Sequence, residues 1–229
     1  MQVAALRNSL IVVLLCASSL ATKPAFAATS ASQYRAQGLA YREQERYPEA
    51  IAALQKAVEL DPQNLDGRVN LGWTLHLAGQ EDRAATALSQ ALFRNPLFVS
   101  ACNALGIVYL VSDDLNAAVM VHTWATLLKP DNEIAYYNLS LARQRLQQYD
   151  LAIATAQRAA ELEPTNPHPL VALAIAHWGK GDRSAAQQAY RQAIDLDPRY
   201  REPAFLTNLQ EAGFSPDQIQ TAGQVLSAN

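Results

Sequence analysis

Cysteine is scarce in this chain: Cys16 and Cys102 are the only two among 229 residues. Cys16 falls in an N-terminal stretch read below as a leader, so the remainder has no partner for an internal disulfide and must be held by packing. Cys102, at an inward-facing position, reads as a small core residue. Basic residues are outnumbered, 18 against 21, for a net charge of −3, which argues against the basic stripe of a nucleic-acid binder. Beyond the first 27 residues no apolar run approaches the ~20 residues of a membrane span. Catalytic patterns are missing as well. His76, His122, His168 and His177 fall at unrelated positions, and none belongs to a His-Glu-x-x-His arrangement. Gly179, Lys180 and Gly181 lack the upstream glycine and the preceding strand of a phosphate loop. Asn138, Leu139 and Ser140 match a glycosylation triplet but fall inside a predicted helix. With no acid–base or nucleophile set, no enzymatic activity, cofactor or metal is expected.

The first 27 residues are of different material. Arg7 supplies a positive start, residues 10–21 are uncharged and rich in Leu, Val and Ala, and Ala25, Phe26 and Ala27 offer small residues for cleavage. Twelve residues reach about 18 Å as a helix, short of the ~30 Å hydrocarbon core, which fits a signal peptide better than an anchor. Leu15 is too bulky beside Cys16 for a lipoprotein signal. Removal would take Arg7 and Lys23 away, leaving 16 basic residues against 21 acidic ones and a net charge of −5. Residues 28–30 form a short lead, and an exported, periplasmic or equivalent lumenal protein is expected.

What dominates the remainder is a period. Pro62, Pro96, Pro130, Pro164 and Pro198 stand one 34-residue step apart. Ala50, Ala84, Ala118, Ala152 and Ala186 run in register with them, as do Ala57, Ala91, Ala125, Ala159 and Ala193. Leu71, Leu105, Leu139 and Leu173 are each followed by a small residue: Gly72, Gly106, Ser140 and Ala174. The first copy keeps Gly38 but has Gln37 in place of leucine. One supersecondary unit has thus been repeated five times, at 31–64, 65–98, 99–132, 133–166 and 167–200.

Each unit spells two helices. In the second copy, residues 65–78 carry Val69, Leu71, Trp73, Leu75 and Leu77; Gly79 supplies a helix stop. Ala84, Ala87, Leu88, Ala91 and Leu92 then line one face of a second helix before Pro96 ends it. Gly72 and Gly106 sit mid-helix, where glycine costs ~1 kcal/mol against alanine, so a facing helix must occupy the space of the missing side chain. Neither helix can bury its apolar face alone. After Tyr200, residues 202–211 read as one more helix of the first kind, ended by Gly213. Ser215, Pro216 and Gln218 then start a last helix with a capping box, so that 201–229 is a C-terminal cap.

These combs resemble the tetratricopeptide repeat family over residues 31–200. The resemblance implies an all-α fold, a right-handed α-solenoid of five helix–turn–helix repeats, whose inner groove holds a peptide or partner protein. In that family the first helix of each copy turns its second, fifth, ninth, twelfth and thirteenth residues to the groove, and the ninth is commonly asparagine. Here the ninth is Leu39, Trp73, Ile107, Leu141, Ile175 and, in the extra helix, Leu209. Neighbouring positions add Val69, Leu110, Tyr137, Val171 and Trp178, while Asn70, Asn103 and Asn138 offer amides for the backbone of a ligand. Family geometry makes this an apolar stripe along an open groove. A tightly wound superhelix would bury the ninth position as core, and the sequence leaves both readings open. The carboxylate clamp of chaperone-binding members is not expected: Arg35 and Asn70 fit it, but Leu39 replaces an asparagine, and Ser100 and Ala104 replace basic residues.

The function expected from these residues is a non-enzymatic scaffold or assembly factor that binds an amphipathic helix or apolar segment of a protein partner. The alternative is a structural subunit that forms a homodimer through the same stripe.

Overall fold

The computed structural model describes residues 30–228, so the signal-like stretch 1–27 lies outside the described residues. Ten α-helices follow in pairs: α1 (Ala31–Glu43) with α2 (Tyr47–Leu60), α3 (Leu65–Leu77) with α4 (Glu81–Arg94), α5 (Val99–Val111) with α6 (Leu115–Leu128), α7 (Glu133–Arg145) with α8 (Tyr149–Leu162), and α9 (His168–Lys180) with α10 (Arg183–Leu196). Each helix packs on the next, and first helices also touch across copies, α3 on α5, α5 on α7 and α7 on α9. This lines one wall of an α-solenoid with α1, α3, α5, α7 and α9 and places their partners outside.

The backbone repeats as strictly as the sequence. The residues ahead of the five prolines, Asp61, Asn95, Lys129, Glu163 and Asp197, hold φ between −132° and −141°. A following proline disfavours the helical conformation there, so each second helix ends at the same place. Between the paired helices every copy carries one left-handed residue: Glu45 (58°), Gly79 (69°), Asp113 (65°), Gln147 (59°) and Gly181 (93°). Only two copies give this position the residue that adopts it without strain.

Packing explains the small residues. A Cβ at Gly38 or Gly72 would lie 2.6 Å from Cγ of Leu54 or Leu88, and one at Gly106 would overlap the imidazole of His122. First and second helices therefore meet backbone against side chain at the centre of each of the first three copies. Both alanine combs are buried throughout, and Cys102 is wholly buried, which raises its thiol pKa.

The C-terminal region departs from expectation. Residues 202–211 are not a helix of the first kind. They hold one 3₁₀ stretch, Pro203–Gln210, which follows a shorter one at Pro198–Arg201. Pro203 follows Pro198 too closely for a full α-helical ladder to form between them, and the tighter winding is tied down by Tyr190, whose hydroxyl donates to the Tyr200 carbonyl at 3.0 Å. Gly213, at φ +85°, then reverses the chain. The last helix, α11 (Pro216–Ser227), begins with the expected capping box between Ser215 and Gln218. It packs on α9 and on the 3₁₀ stretch before it.

Candidate protein-binding groove

The ninth residues of the five first helices are not equivalent in the folded chain. Leu39, Trp73 and Ile107 are half-buried, whereas Leu141 and Ile175 are fully buried and Leu209 nearly so. The divide falls between copies 3 and 4. Its cause is the chain's own C-terminal segment, which lies along the inner wall of copies 4 and 5.

Several contacts hold that segment in place. The Tyr137 hydroxyl donates to the Ala212 carbonyl at 2.6 Å, and the Tyr137 and Phe214 rings lie 6.1 Å apart. Burial pushes the Tyr137 phenol well above its usual pKa, so it remains a donor. Gly213 passes so close to the wall that a Cβ there would stand 3.8 Å from Cδ1 of Leu141 and 3.9 Å from Oδ1 of Asn138. The buried Gln218 donates from Nε2 to the Leu141 carbonyl at 3.1 Å and to Gln144 Oε1 at 2.9 Å, while its Oε1 accepts from the Ser215 amide. Further along, the Trp178 indole donates to Gln224 Oε1 at 3.1 Å, with the Arg183 guanidinium stacked 3.6 Å from its ring centre. Val171 and Ile175 complete one core with Leu206, Leu209, Phe214, Ala222 and Val225.

The other half of the wall is uncovered. Trp73 and Ile107, with Leu110 below them and Tyr137 at the side, line a cavity of about 630 Å³. Its remaining walls are His76, Leu77, Val111, Asn138 and Arg145 from the repeats and residues 210–216 of the C-terminal segment. The His76 and Trp73 rings lie 5.0 Å apart, tilted by 47°, and His76 Nδ1 stands 2.8 Å from the Glu81 carboxylate. Arg145 spans two copies, donating to the Leu110 carbonyl at 2.8 Å and to Asp113 at 2.5 Å. The cavity is thus an apolar floor with a charged rim, a form suited to an apolar side chain from a polar-flanked segment.

The twelve residues singled out from sequence therefore occupy three settings. Trp73 and Ile107 face the cavity, and Leu110 lies beneath it; Val69 packs on the core beside Trp73. Tyr137 and Asn138 stand at the boundary; Leu141, Val171, Ile175 and Trp178 are taken by the C-terminal segment. The asparagines are less free than sequence suggests. Asn103 exchanges two amide hydrogen bonds with Asn132, at 3.2 and 2.8 Å, and the same Asn132 caps α7 through the Ala135 amide. Asn138 donates to the Ile134 carbonyl of its own helix at 2.9 Å. Asn70 is half-buried. Residues 210–216 were not singled out, because a 34-residue period says nothing of a segment that folds back from outside it, whereas His76 and Arg145 stand at the twelfth and thirteenth positions of their copies, where the family geometry already faces the groove.

With two-helix units in strict register on the page, comparison with known proteins identifies them. Residues 38–79 match the family model described as TPR repeat, and residues 134–166 and 168–200 match that described as Tetratricopeptide repeat. The chain is a tetratricopeptide repeat protein. Among curated proteins it is similar to the Hsp70-Hsp90 organizing protein of Triticum aestivum, 32% identical over 43% of this chain and 17% of that one. It is also similar to Protein FlbA of Caulobacter vibrioides, 28% identical over 62% of this chain and 25% of that one. The match thus spans a quarter or less of either relative. Among solved structures, MamA from Desulfovibrio magneticus RS-1 superposes with a TM-score of 0.68 at 23% identity, covering 73% of this chain and 95% of that one. Another MamA structure gives 0.66 at 24% identity, covering 74% and 92%. These likenesses concern the fold. Among the described residues no helix is long and apolar enough to cross a membrane, and no group of His, Cys, Asp and Glu could hold a metal ion.

Proposed function

We propose that this repeat protein is a non-enzymatic adaptor that takes an apolar segment or amphipathic helix of a protein partner in the open half of its inner groove. The carrying observation is the cavity floored by Trp73, Ile107 and Leu110, which continues the wall that the chain's own C-terminal segment already occupies. That segment is a worked example of what the wall accepts: apolar side chains against the ninth positions, and a backbone carbonyl received by a tyrosine hydroxyl. The open half offers the same kind of surface with the same Tyr137 at its edge. A ligand entering there would bury apolar area without displacing the cis segment. Tetratricopeptide relatives such as the organizing protein named above lend the reading support at the level of protein–protein scaffolding. Export through the leader at residues 1–27 places this adaptor outside the cytoplasm in our reading.

A phage-displayed peptide library panned against the purified protein tests the site. Selected peptides should carry apolar anchors and lose at least tenfold in affinity for Ile107→Asn, a change on the exposed floor. Peptides that bind Ile107→Asn as well as the parent would refute the assignment.

A further inference from the structure

On the outer face, five side chains break the repeat. Phe93 and Leu127 share a position at which copies 1, 4 and 5 carry Glu59, Glu161 and Asp195. Trp124 stands where the other copies have Lys56, Gln90, Arg158 and Gln192, and Leu97 where they have Gln63, Asp131, Thr165 and Arg199. Met120 lies one turn before Trp124 on α6. The repeat itself serves as the control. At the positions of Phe93, Leu97, Trp124 and Leu127 one backbone geometry carries polar or charged residues in three or four copies, and large apolar ones only in copies 2 and 3; at the Met120 position the other copies carry the smaller or polar Ala52, Thr86, Ala154 and Gln188.

These side chains are not turned inward. Phe93 is 91% exposed, Met120 and Leu127 67%, Leu97 62% and Trp124 42%. Met120, Trp124 and Leu127 follow each other at i, i+4 and i+7, one stripe on α6. The Trp124 indole donates to the Pro96 carbonyl at 2.8 Å, which fastens that stripe to the turn bearing Leu97, just beyond Phe93. Together the five expose roughly 600 Å² of apolar surface, the upper end of what a monomer usually shows.

We propose that this outer patch closes a twofold dimer of the chain. The area approaches the ~800 Å² that each partner contributes to a standard interface, before any rim is counted. α6 carries no Asp, Glu, Lys or Arg, so its stripe meets a second copy without desolvating a charge, while Arg94 beside Phe93 is hydrogen-bonded to Gln63 at the edge of the patch. A twofold axis makes the patch its own complement, since wherever one of its residues meets a second across the interface the reverse contact forms as well. The dimer leaves the inner groove free, since α6 lies on the opposite side of the solenoid from the floor at Ile107.

Sedimentation equilibrium of the purified protein from about 1 to 200 µM tests the proposal. The parent should pass from monomer to dimer mass across that range. Phe93→Glu/Leu127→Glu, which installs the residue type of copies 1 and 4, should raise the dissociation constant at least about tenfold by setting like charges across the axis, with an unchanged circular dichroism spectrum. Leu97→Asp, in the turn, should do the same, and Ile107→Asn should dimerise as the parent does. A parent that stays monomeric, an outer-face variant that dimerises normally, or loss of the dimer in Ile107→Asn would each overturn it.

Discussion

Replacing His122 with leucine should stabilise the protein, and more so in acid. Copies 1 and 2 place Leu54 and Leu88 against Gly38 and Gly72; copy 3 places His122 against Gly106. The imidazole is fully buried, and neither ring nitrogen makes a hydrogen bond of good geometry. Burial lowers its pKa to about 4, offset in part by the Gly106 backbone. An unpartnered buried polar group costs ~1–3 kcal/mol, which leucine removes at similar volume. In the unfolded chain histidine titrates near 6.5, so between pH 6.5 and 4 the unfolded state binds a proton that the folded state refuses. The group's contribution is therefore intact above about pH 6.5 and lost as the pH falls toward 4. At pH 5 this amounts to about 2 kcal/mol. Urea melts of parent and His122→Leu should show a gap of ~1–3 kcal/mol at pH 7.5 that widens by about 2 kcal/mol at pH 5. Burial lowers His168 and His177 too, with the same sign, but both remain in the two proteins and cancel in the difference. A variant less stable than the parent, or a gap equal at both pH values, would refute a buried neutral His122.

Three further outcomes are expected. Leu141→Asn should melt well below the parent, because its amide is buried under the C-terminal segment at a cost of ~1–3 kcal/mol on top of the lost packing, while Ile107→Asn should melt within a few degrees of it; thermal circular dichroism compares them, and equal losses would erase the divide between copies 3 and 4. Gln147→Gly should gain about 1 kcal/mol in a denaturant melt, since it gives copy 4 the residue that copies 2 and 5 use at the left-handed turn; a loss would mean that the side chain has a role there. Intact-mass measurement of protein exported by its native host should place the N-terminus at or near Ala28, and a chain retaining Met1 would contradict export.

The sequence made the solenoid legible because each comb has a local physical cause: proline ends a helix, glycine admits a facing side chain, alanine lets helices approach. Gly79 marked the inter-helix turn, but Glu45, Asp113 and Gln147 adopt the same left-handed conformation without any signal in their residue type. The groove was half legible. Its apolar ninth positions are real in all copies, yet only their neighbours in space separate floor from core. Ile107 and Ile175 are the same residue at the same position, one lining a cavity and the other wholly buried. The difference lies in residues 203–227: Phe205, Leu206 and Leu209 read as one more repeat helix but, with Phe214 beyond Gly213, fold back as a filling. Two closely spaced prolines and Gly213 were the local hint that the period had ended. The outer patch was legible in principle, since the repeat shows which positions are ordinarily polar.

The three tryptophans report three surfaces: Trp73 on the open groove floor, Trp124 on the outer patch and Trp178 against α11. Titrating a groove-selected peptide into dilute ¹⁵N-labelled protein, while following the three indole N–H resonances, tests the central claim directly. The account predicts that the Trp73 resonance moves with saturation while Trp124 and Trp178 stay in place. Movement of Trp178 would mean that ligands displace the C-terminal segment, and movement of Trp124 alone would put the binding surface on the outside of the solenoid; either result contradicts a partner seated in the open half of the groove.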